Sequence, residues 1–334
     1  MAYADHRKTP KRTRAQIRRE REFETDIVNN LEKVRTILLT GEWDMHPEYR
    51  FTRMEHGKMR DICYNPSPLD SVIEHALNRT VGRILEASCI TDTFSGFKKR
   101  GCIYGKKRIE SYLAEYPDDS PIYVLKLDIR HFYESINREK LEAMIARKIK
   151  DKTILKLMHT RIYWHEKGIP LGNRMSGPMA NYYLSPLDHL VKETLGFRHY
   201  ARYCDDIVVI SNSKAKLKDL LVKMRECCAS LDLEIKPNVQ IFPIERHGID
   251  FMGYVFRRHD TILRKRIERN LRKAYAKFRK APNTRNYTSL ASIYGWAKHV
   301  TRFKAFWNAV VGRPLKELHE LTIKSGNMNM GKCA

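Results

Sequence analysis

The sequence has no apolar run near the roughly 18 residues that a helix needs to cross a bilayer, and no apolar segment typical of a signal peptide near its start. Its seven cysteines include no C-x-x-C pair of the kind that structural zinc sites prefer. Internal repeats are absent, and so is low-complexity sequence beyond a short basic start. These absences argue against a membrane span, a zinc ribbon and a repeat fold. They predict a cytoplasmic chain with reduced thiols.

Acidic residues are scarce relative to basic ones. The 334 residues include 39 Asp or Glu against 63 Lys or Arg, for a formal net charge of +24. A chain this basic repels itself unless it binds a polyanion, so nucleic acid is the first candidate partner. An anionic membrane surface is the competing partner, and the lack of an apolar span counts against it. Hydrophobic residues make up 42% of the chain, which is enough for a substantial core.

The first quarter of the chain predicts a basic arm, two helices and a hairpin. Residues 1–22 carry eight Lys or Arg and no apolar core. Apolar residues then recur at helical spacing over 24–39 and over 69–85. Between these helices, residues 50–65 predict a basic hairpin with its turn at 55–58.

Strand-like runs deliver carboxylates in the middle of the chain. Residues 122–129, rich in β-branched and aromatic side chains, predict a buried strand that brings Asp128 to its end. Two further runs, 199–203 and 207–210, flank Cys204-Asp205-Asp206, which predicts a tight hairpin with two carboxylates at its tip. Near the C-terminus, residues 264–280 carry nine Lys or Arg at positions that predict an amphipathic helix with a basic face.

These carboxylates are the candidate catalytic centre. Asp205 and Asp206 repel each other, so their presentation by hydrophobic strands calls for a compensating charge. Mg²⁺ prefers such hard oxygen ligands, and Asp128 would complete the cluster. Two ions held in this way can activate a 3′-hydroxyl and stabilise a leaving pyrophosphate. A lone Asp-Asp pair is more often a solvated turn, so the assignment depends on the motifs around it.

The motifs around the carboxylates resemble those of bacterial reverse transcriptases, in family order. Tyr203 to Asp206 resembles the Y-x-D-D signature, and residues 127–133 (LDIRHFY) resemble the first carboxylate motif. Residues 168–176 (GIPLGNRMS) resemble the G-x-P-x-G-x-x-x-S element, and residues 251–254 (FMGY) resemble the primer-grip turn. The resemblance implies an α+β right-hand polymerase fold, with fingers, a palm built on a mainly antiparallel sheet, and a helical thumb.

The resemblance also implies boundaries and residue roles. The expected segments are a basic arm (1–22), fingers with the start of the palm (23–120), a palm with the carboxylates and primer grip (121–258, of which 140–185 is partly fingers), a helical thumb (259–325) and a flexible tail (326–334). The residues expected to hold two Mg²⁺ ions, or Mn²⁺, are Asp128, Asp205, Asp206 and the backbone carbonyl of Ile129. Those expected to bind the nucleotide are Lys58, Arg60, Tyr133, Leu171, Gly172 and Lys236. Those expected to bind template or primer are Ser176, Phe251, Met252, Gly253, Tyr254, Arg272 and Lys273.

Several of these roles have a physical reason. The Arg60 guanidinium can bind a triphosphate bidentately, and Tyr133 would exclude a 2′-hydroxyl by steric contact. Gly172 would let a template base or nucleotide approach the backbone without meeting a Cβ, and Ser176 could hydrogen-bond the template backbone. Lys236 could protonate the leaving pyrophosphate.

Leu171 bears on the subgroup of reverse transcriptase. Most members of the family carry Gln there, and an aliphatic residue resembles the enzymes of diversity-generating retroelements, whose copying of template adenines is error-prone. A side chain without hydrogen-bonding groups removes a polar constraint on the nascent pair. Those enzymes usually carry Gln after the serine, where this chain has Gly177. A defence-associated or other unclassified bacterial reverse transcriptase is therefore the alternative.

The resemblance implies an RNA-directed DNA polymerase that makes cDNA from a retroelement template RNA, with dNTPs and a cDNA or RNA primer. It also implies a small basic accessory protein as a partner. Two other functional classes fit the sequence less well. A catalytically inactive nucleic-acid-binding scaffold would not need three intact carboxylates. A metal-dependent phosphohydrolase would not need the ordered fingers, template and primer motifs.

Overall fold

The computed structural model describes residues 1–8, 13–55 and 58–324, which fold into two compact units. The first unit comprises Met1–Gly101 and Leu125–Ile241, and the second comprises Cys102–Val124 and Phe242–Ala334. Each unit is therefore assembled from two separated parts of the chain.

Helices form most of both units. In chain order they are α1 (Ala2–Arg7), α2 (Arg14–Thr25), α3 (Ile27–Thr40), α4 (Pro68–Ala87), α5 (Cys102–Ala114), α6 (Phe132–Ser135), α7 (Arg138–Lys148), α8 (Lys152–Tyr163), α9 (Ser176–Tyr183), α10 (Ser185–His189), α11 (Lys214–Ser230), α12 (Lys265–Lys280), α13 (Thr284–Ala297), α14 (Phe303–Val310) and α15 (Leu315–Lys324). A π-helical turn, Leu190–Thr194, follows α10, and a 3₁₀ turn covers Ile244–Arg246. Within the described ranges, no helix combines the length and apolar composition needed to cross a bilayer.

Side-chain caps set the start of many of these helices. A short polar side chain before the first turn accepts a hydrogen bond from a backbone N–H that would otherwise lack a partner, which stabilises a helix by about 1 kcal/mol. The residues that cap in this way are Thr13, Ser67, Asn137, Asp151, Ser213 and Asn283. The helices predicted over 24–39, 69–85 and 264–280 are confirmed as α3, α4 and α12.

The described strands form three sheets. They are β1 (Tyr49–Glu55), β2 (Lys58–Tyr64), β3 (Tyr123–Asp128), β4 (Tyr200–Tyr203), β5 (Asp206–Ser211), β6 (Gln240–Pro243), β7 (Ile249–Phe251), β8 (Tyr254–Phe256) and β9 (Thr261–Leu263). The pair β1-β2 is a hairpin, the second sheet has the order β4-β5-β3-β6, and the third has the order β7-β8-β9. The pairs β1-β2, β4-β5, β7-β8 and β8-β9 are antiparallel. The predicted hairpin over 50–65, the strand over 122–129 and the carboxylate hairpin are confirmed.

Strands β4 and β5, with residues 125–128 of β3, form the core of the first unit. Ile207 to Ile210 on β5 are all buried, as are Leu125 and Leu127 on β3. Burying each such side chain stabilises the fold by roughly 1.5–3 kcal/mol. Helix α11 packs against β5 and contributes Leu217 and Met224 to the same core. The strands that carry the carboxylates are therefore held rigidly.

The described parts of the basic N-terminal segment form helices α1 and α2, which pack on α4 and differ from the arm expected from the composition. Helix α1 lies against α4. His6 is buried, with Nδ1 2.8 Å from Ser71 Oγ and Nε2 2.9 Å from Glu20 Oε1. A single buried histidine with polar partners does not change the spacing of the apolar residues. The sequence therefore did not predict the packing of α1 on α4. The expected tail (326–334) lies outside the described residues.

The second unit joins the segment 102–124 to the C-terminal part of the chain. The Ile244 N–H donates to the Ile122 carbonyl (2.9 Å), and the Thr261 hydroxyl donates to Glu110 Oε1 (2.6 Å). Residues 102–124, expected to belong to the fingers and the start of the palm, thus group with the predicted thumb. Contacts between segments more than 100 residues apart decide this grouping, and sequence spacing carries no information about them.

Candidate active site

A two-residue turn brings the paired aspartates to the end of the central sheet. In the register of β4 and β5, Tyr203 is opposite Asp206, so Cys204 and Asp205 form the turn. Cys204 has a φ of 55°, in the left-handed region that tight hairpin turns require. Asp206 is then the first residue of β5. The turn fixes both carboxylates at the edge of a buried, rigid sheet.

Asp128 meets Asp205 because β3 lies beside β5. The Ile129 N–H donates to the backbone carbonyl of Asp205 (3.3 Å), which aligns the end of β3 with the turn. Burial, followed by repulsion from the nearby Asp128 carboxylate, raises the pKa of Asp205 to about 6. The structure therefore brings these two carboxylates together.

Two lysines accompany the carboxylates. Lys236 Nζ lies 2.5 Å from Asp128 Oδ1, and its backbone N–H donates to the Asp128 carbonyl (2.9 Å). Lys126 Nζ lies 3.6 Å from Asp206 Oδ1. The sequence pointed to Lys236 but missed Lys126, although Lys126 lies two residues before Asp128 and so shares its face of the strand.

Asp206, the residue after Asp205, is not part of a compact cluster of three carboxylates in the described structure. Among the described residues, no group of three His, Cys, Asp or Glu ligand atoms within 4.8 Å includes Asp206. Its carboxylate is instead near Lys126. The Asp128 and Asp205 side chains are hydrogen-bonded to each other, and Asp206 follows Asp205 in the chain.

The backbone carbonyl of Ile129 faces the same side as Asp205. Ile129 forms an isolated antiparallel bridge with Ile235, flanked by hydrogen bonds from Lys236 N to Asp128 O and from Arg130 N to Glu234 O. In this pattern the N–H and C=O of the bridged residue point away from its partner strand. The N–H of Ile129 reaches Asp205, and its carbonyl is directed to that side as well. Two carboxylates and a carbonyl are an oxygen donor set that fits Mg²⁺.

A buried ion pair supports the Cys204-Asp205 turn, and the sequence analysis did not predict it. Arg202 and Asp188 both have 0% exposed side chains and are joined at 2.5 Å. Arg202 also donates to the Cys204 carbonyl (3.0 Å) and to the Asn181 carbonyl (3.0 Å). One guanidinium therefore connects α9, α10 and the turn that carries Asp205. Arg202 was visible only as a residue within a strand-like run.

Tyr133 lies beside the same turn. It is half-buried, and its hydroxyl hydrogen-bonds the Cys204 thiol, while burial raises the pKa of Tyr133 well above its usual value. Its carbonyl accepts a hydrogen bond from Ile169 N (2.9 Å), which ties α6 to the GIPLGNRMS segment. The structure therefore brings Tyr133 to the carboxylate turn. Its predicted contact with the nucleotide sugar stays a prediction.

The loop that contains Leu171 and Gly172 lies against β2. The Leu171 carbonyl accepts a hydrogen bond from Cys63 N (3.1 Å), and the Asn173 side chain donates to the Cys63 carbonyl (3.3 Å). Gly172 has a φ of 113°, and a Cβ at this position would lie 2.8 Å from the Cys63 carbonyl oxygen. Close packing on β2 therefore requires glycine at this position. This requirement is in addition to the approach of a base or nucleotide that the sequence led us to expect.

We expect Gly172→Ala to lower the free energy of unfolding by about 1–3 kcal/mol, because the new Cβ combines an unfavourable φ with a clash against backbone. Urea denaturation would measure the loss. The matched control is Gly177→Ala, five residues further on, where a Cβ meets nothing within 4 Å. Equal stability of the two variants would contradict the packing argument.

Ser176 is buried at the start of α9. Its hydroxyl accepts a hydrogen bond from the Arg161 guanidinium (3.2 Å), and Arg161 also pairs with Glu74 (2.6 Å). Glu74 in turn accepts from Arg174 N (3.1 Å). This differs from the template contact expected of Ser176, because its hydroxyl lies in a buried network that fixes the loop. Lys58 and Arg60 belong to β2, and their side chains lie outside the described part of the structure.

The predicted primer-grip and thumb residues all lie in the second unit. Phe251 and Tyr254 are buried, with the turn Met252-Gly253 between them at φ values of 49° and 86°. A Cβ at Gly253 would lie 2.9 Å from both Ile267 and Trp296 side chains. Arg272 and Lys273 are exposed on α12, where Arg272 pairs with Glu268 (2.8 Å). Contact of these residues with template or primer stays a prediction.

Comparison with known proteins decides the family. The family model described as Reverse transcriptase (RNA-dependent DNA polymerase) matches residues 55–256, more than half of the chain and all of the carboxylate motifs. The chain belongs to the reverse transcriptase family. One member of the family, the retron Ec73 reverse transcriptase of Escherichia coli, is 26% identical over 204 residues, which cover 56% of this chain and 60% of that protein. The chain thus spans about 60% of the length of that curated relative.

The chain is similar in fold to solved structures of telomerases. Apo telomerase from Candida tropicalis aligns with a TM-score of 0.52 at 13% identity, covering 69% of this chain and 53% of that one. Telomerase from Candida albicans, solved with the TWJ fragment of telomeric RNA, aligns with a TM-score of 0.50 at 12% identity, covering 85% and 61%. Together with the helices and antiparallel strands of both units, these likenesses confirm the α+β polymerase fold of the right-hand class.

Proposed function

We propose that this protein is an RNA-directed DNA polymerase that makes cDNA from the template RNA of a bacterial retroelement, in the cytoplasm. The observation that carries the proposal is the close pair of Asp128 and Asp205 on a buried sheet, within the matched reverse transcriptase domain. Two carboxylates held together at the end of a buried sheet repel each other, and a bound cation would offset that repulsion.

The metal ligands in this proposal are Asp128, Asp205 and the Ile129 carbonyl, with Asp206 beside them. The raised pKa of Asp205 indicates that the site favours an added positive charge. The Lys236 ammonium group, 2.5 Å from Asp128 Oδ1, already supplies one such charge. Two Mg²⁺ ions bound to these oxygens would activate the primer 3′-hydroxyl and stabilise the charge of the leaving pyrophosphate. Mn²⁺ would be accepted by the same oxygen ligands.

The protein's own residues would position and protonate the reactants. Lys236 holds an ammonium group beside the carboxylates, where it can donate a proton to the pyrophosphate as it departs. Tyr133, fixed by its hydrogen bond to Cys204, would lie under the sugar of the nucleotide and exclude a 2′-hydroxyl. Exposed Arg272 and Lys273 on α12 would bind duplex phosphates.

Primer extension by the purified chain tests the proposal. We expect dNTP incorporation on an RNA template with Mg²⁺, complementary to that template, and little incorporation of NTPs because of Tyr133. A chain that extends primers only on DNA templates would contradict the RNA-directed assignment. A chain that hydrolyses nucleotides without any extension would favour a phosphohydrolase.

Within this function we propose the diversity-generating type of retroelement, with error-prone copying of template adenines. Leu171 supports it, since its side chain offers no hydrogen bond and its loop is held in place by Cys63 and Gly172. The same type would supply a template RNA from its own element. It would also supply a small basic accessory protein as a partner.

We expect Leu171→Gln to reduce misincorporation opposite template adenine by roughly tenfold, about 1.4 kcal/mol of added discrimination. The amide would restore a hydrogen-bonding group near the nascent pair. Sequencing of cDNA, scored by template base, measures the effect. Leu171→Met is the matched control, because it keeps the volume without adding a hydrogen bond, and we expect it to leave the error rate unchanged.

A second candidate is a retron-type or defence-associated reverse transcriptase. Two observations favour it: the 26% match to a retron reverse transcriptase, and Gly177 in place of the Gln usual for diversity-generating enzymes. Accurate copying of adenines by the unaltered chain, together with an unchanged error rate in Leu171→Gln, would favour this candidate.

A further inference from the structure

A second cluster of metal-ligating side chains lies at the base of the β1-β2 hairpin. Glu48, Cys63 and His165 place one ligand atom each within 4.8 Å of one another, and no other group of three such residues is found in the described ranges. The Cys63 thiol donates to Glu48 Oε2 (2.7 Å), and His165 Nδ1 lies 2.6 Å from the same oxygen. All three residues belong to the first unit.

The cluster is assembled from three segments and is largely shielded from water. Glu48 precedes β1, Cys63 is near the end of β2, and His165 follows α8. Their exposed fractions are 15%, 5% and 19%. A thiol, an imidazole and a carboxylate converging at this depth are the ligand types of zinc sites.

We infer that Glu48, Cys63 and His165 form a binding site for Zn²⁺, distinct from the Mg²⁺ site proposed at the carboxylates. Glu48 would bind through Oε2, Cys63 through its sulfur and His165 through Nδ1, and the partial exposure of Glu48 and His165 leaves room for water as the fourth ligand. On binding, the proton of the Cys63 thiol is released to solvent and its sulfur ligates as thiolate.

The ligand chemistry selects the kind of metal. Thiolate and imidazole are poor ligands for Mg²⁺ and good ligands for Zn²⁺ or Co²⁺. Arg50 donates to Glu48 Oε1 and lies 3.4 Å from Glu166. Arg50 thus binds the oxygen of Glu48 that does not face Cys63 and His165. In this position it orients the carboxylate, as residues that hydrogen-bond metal ligands commonly do.

The proposed site would cross-link elements next to the Leu171 loop. The Cys63 N–H donates to the Leu171 carbonyl, and the Cys63 carbonyl accepts a hydrogen bond from the Asn173 side chain. The Trp164 indole, next to His165, donates to the His46 carbonyl (2.9 Å). Bound Zn²⁺ would therefore hold the hairpin, the end of α8 and this loop together, and we expect it to raise the melting temperature.

Metal titration of the full chain tests this inference, with no dependence on polymerase activity. The protein is stripped with a chelator, kept reduced, and titrated with Co²⁺ in excess Mg²⁺, which saturates the carboxylate site. We expect one equivalent of Co²⁺ to bind with the near-ultraviolet charge-transfer band that only a thiolate ligand produces. Zn²⁺ should displace it and abolish the band.

Two variants and a matched control test whether the charge-transfer band arises from Cys63 and His165. Cys63→Ser should abolish it, and His165→Gln should weaken Co²⁺ binding on the order of 100-fold. Cys89→Ser, which alters another buried thiol of the same unit, should leave band and affinity unchanged. Far-ultraviolet circular dichroism checks that each variant folds, and His165→Gln serves as the test should Cys63→Ser not fold. The absence of a band in the unaltered chain, or its survival in Cys63→Ser, would overturn the inference.

Discussion

We expect Asp205→Asn to reduce nucleotide incorporation on the order of 10³-fold or more, while template binding changes by less than about twofold. The amide keeps the shape of the side chain but removes the negative charge that would hold the cations. Template binding depends on many basic contacts spread over the chain, so it should persist. Single-turnover primer extension and a filter-binding assay on the same preparation measure the two quantities.

The fold should not suffer in this variant. Because burial and Asp128 raise the pKa of Asp205 to about 6, the ionised carboxylate opposes folding above that pH, and replacing it by a neutral amide relieves the repulsion. We therefore expect an equal or higher melting temperature. Asp219→Asn, which alters an exposed carboxylate on α11, is the control and should keep full activity. Retention of polymerase activity by Asp205→Asn would rule out the metal assignment.

Arg202→Met should lower the free energy of unfolding by about 3–5 kcal/mol, because it leaves Asp188 as a buried carboxylate without its cation. The loss should also reach the active site, since the Cys204 carbonyl loses the guanidinium that fixes the turn before Asp205. Chemical denaturation gives the first effect, and primer extension at a temperature where the variant is folded gives the second. Arg198→Met, at an exposed position before β4, should be neutral in both assays.

A double variant separates stability from positioning. Arg202→Met with Asp188→Leu removes both charges and should recover much of the lost stability. Its activity should stay low, because the Cys204 carbonyl still lacks its donor. Recovery of full activity in the double variant would show that Arg202 acts on stability alone.

Local patterns were sufficient to predict the elements that carry the candidate site. The run over 122–129 and the two runs around Cys204 became β3, β4 and β5 within one or two residues. Strands buried on both faces are continuous β-branched sequences, and polar residues at their ends stand out. The basic helix over 264–280 was equally clear, because its apolar residues recur with the helical period.

The contacts that position the site could not be predicted in this way. Lys126 near Asp206, the pairing of Arg202 with Asp188, and the close approach of Gly172 to Cys63 all join segments with no fixed spacing. The same holds for the grouping of residues 102–124 with the C-terminal segment. Each depends on which distant strands and helices pack together.

The sequence by itself therefore determined the family, the carboxylates and the strands that present them, because these are recorded in residues close together along the chain. Only the tertiary structure decided that the Asp128 side chain contacts Asp205 and that Lys126 lies near Asp206. It alone brought Glu48, Cys63 and His165 together from three segments. The physical reason is that a ligand set or an ion pair is defined by distances of a few ångströms, and side chains from separate helices, strands and loops reach such distances only through the packing of the whole unit.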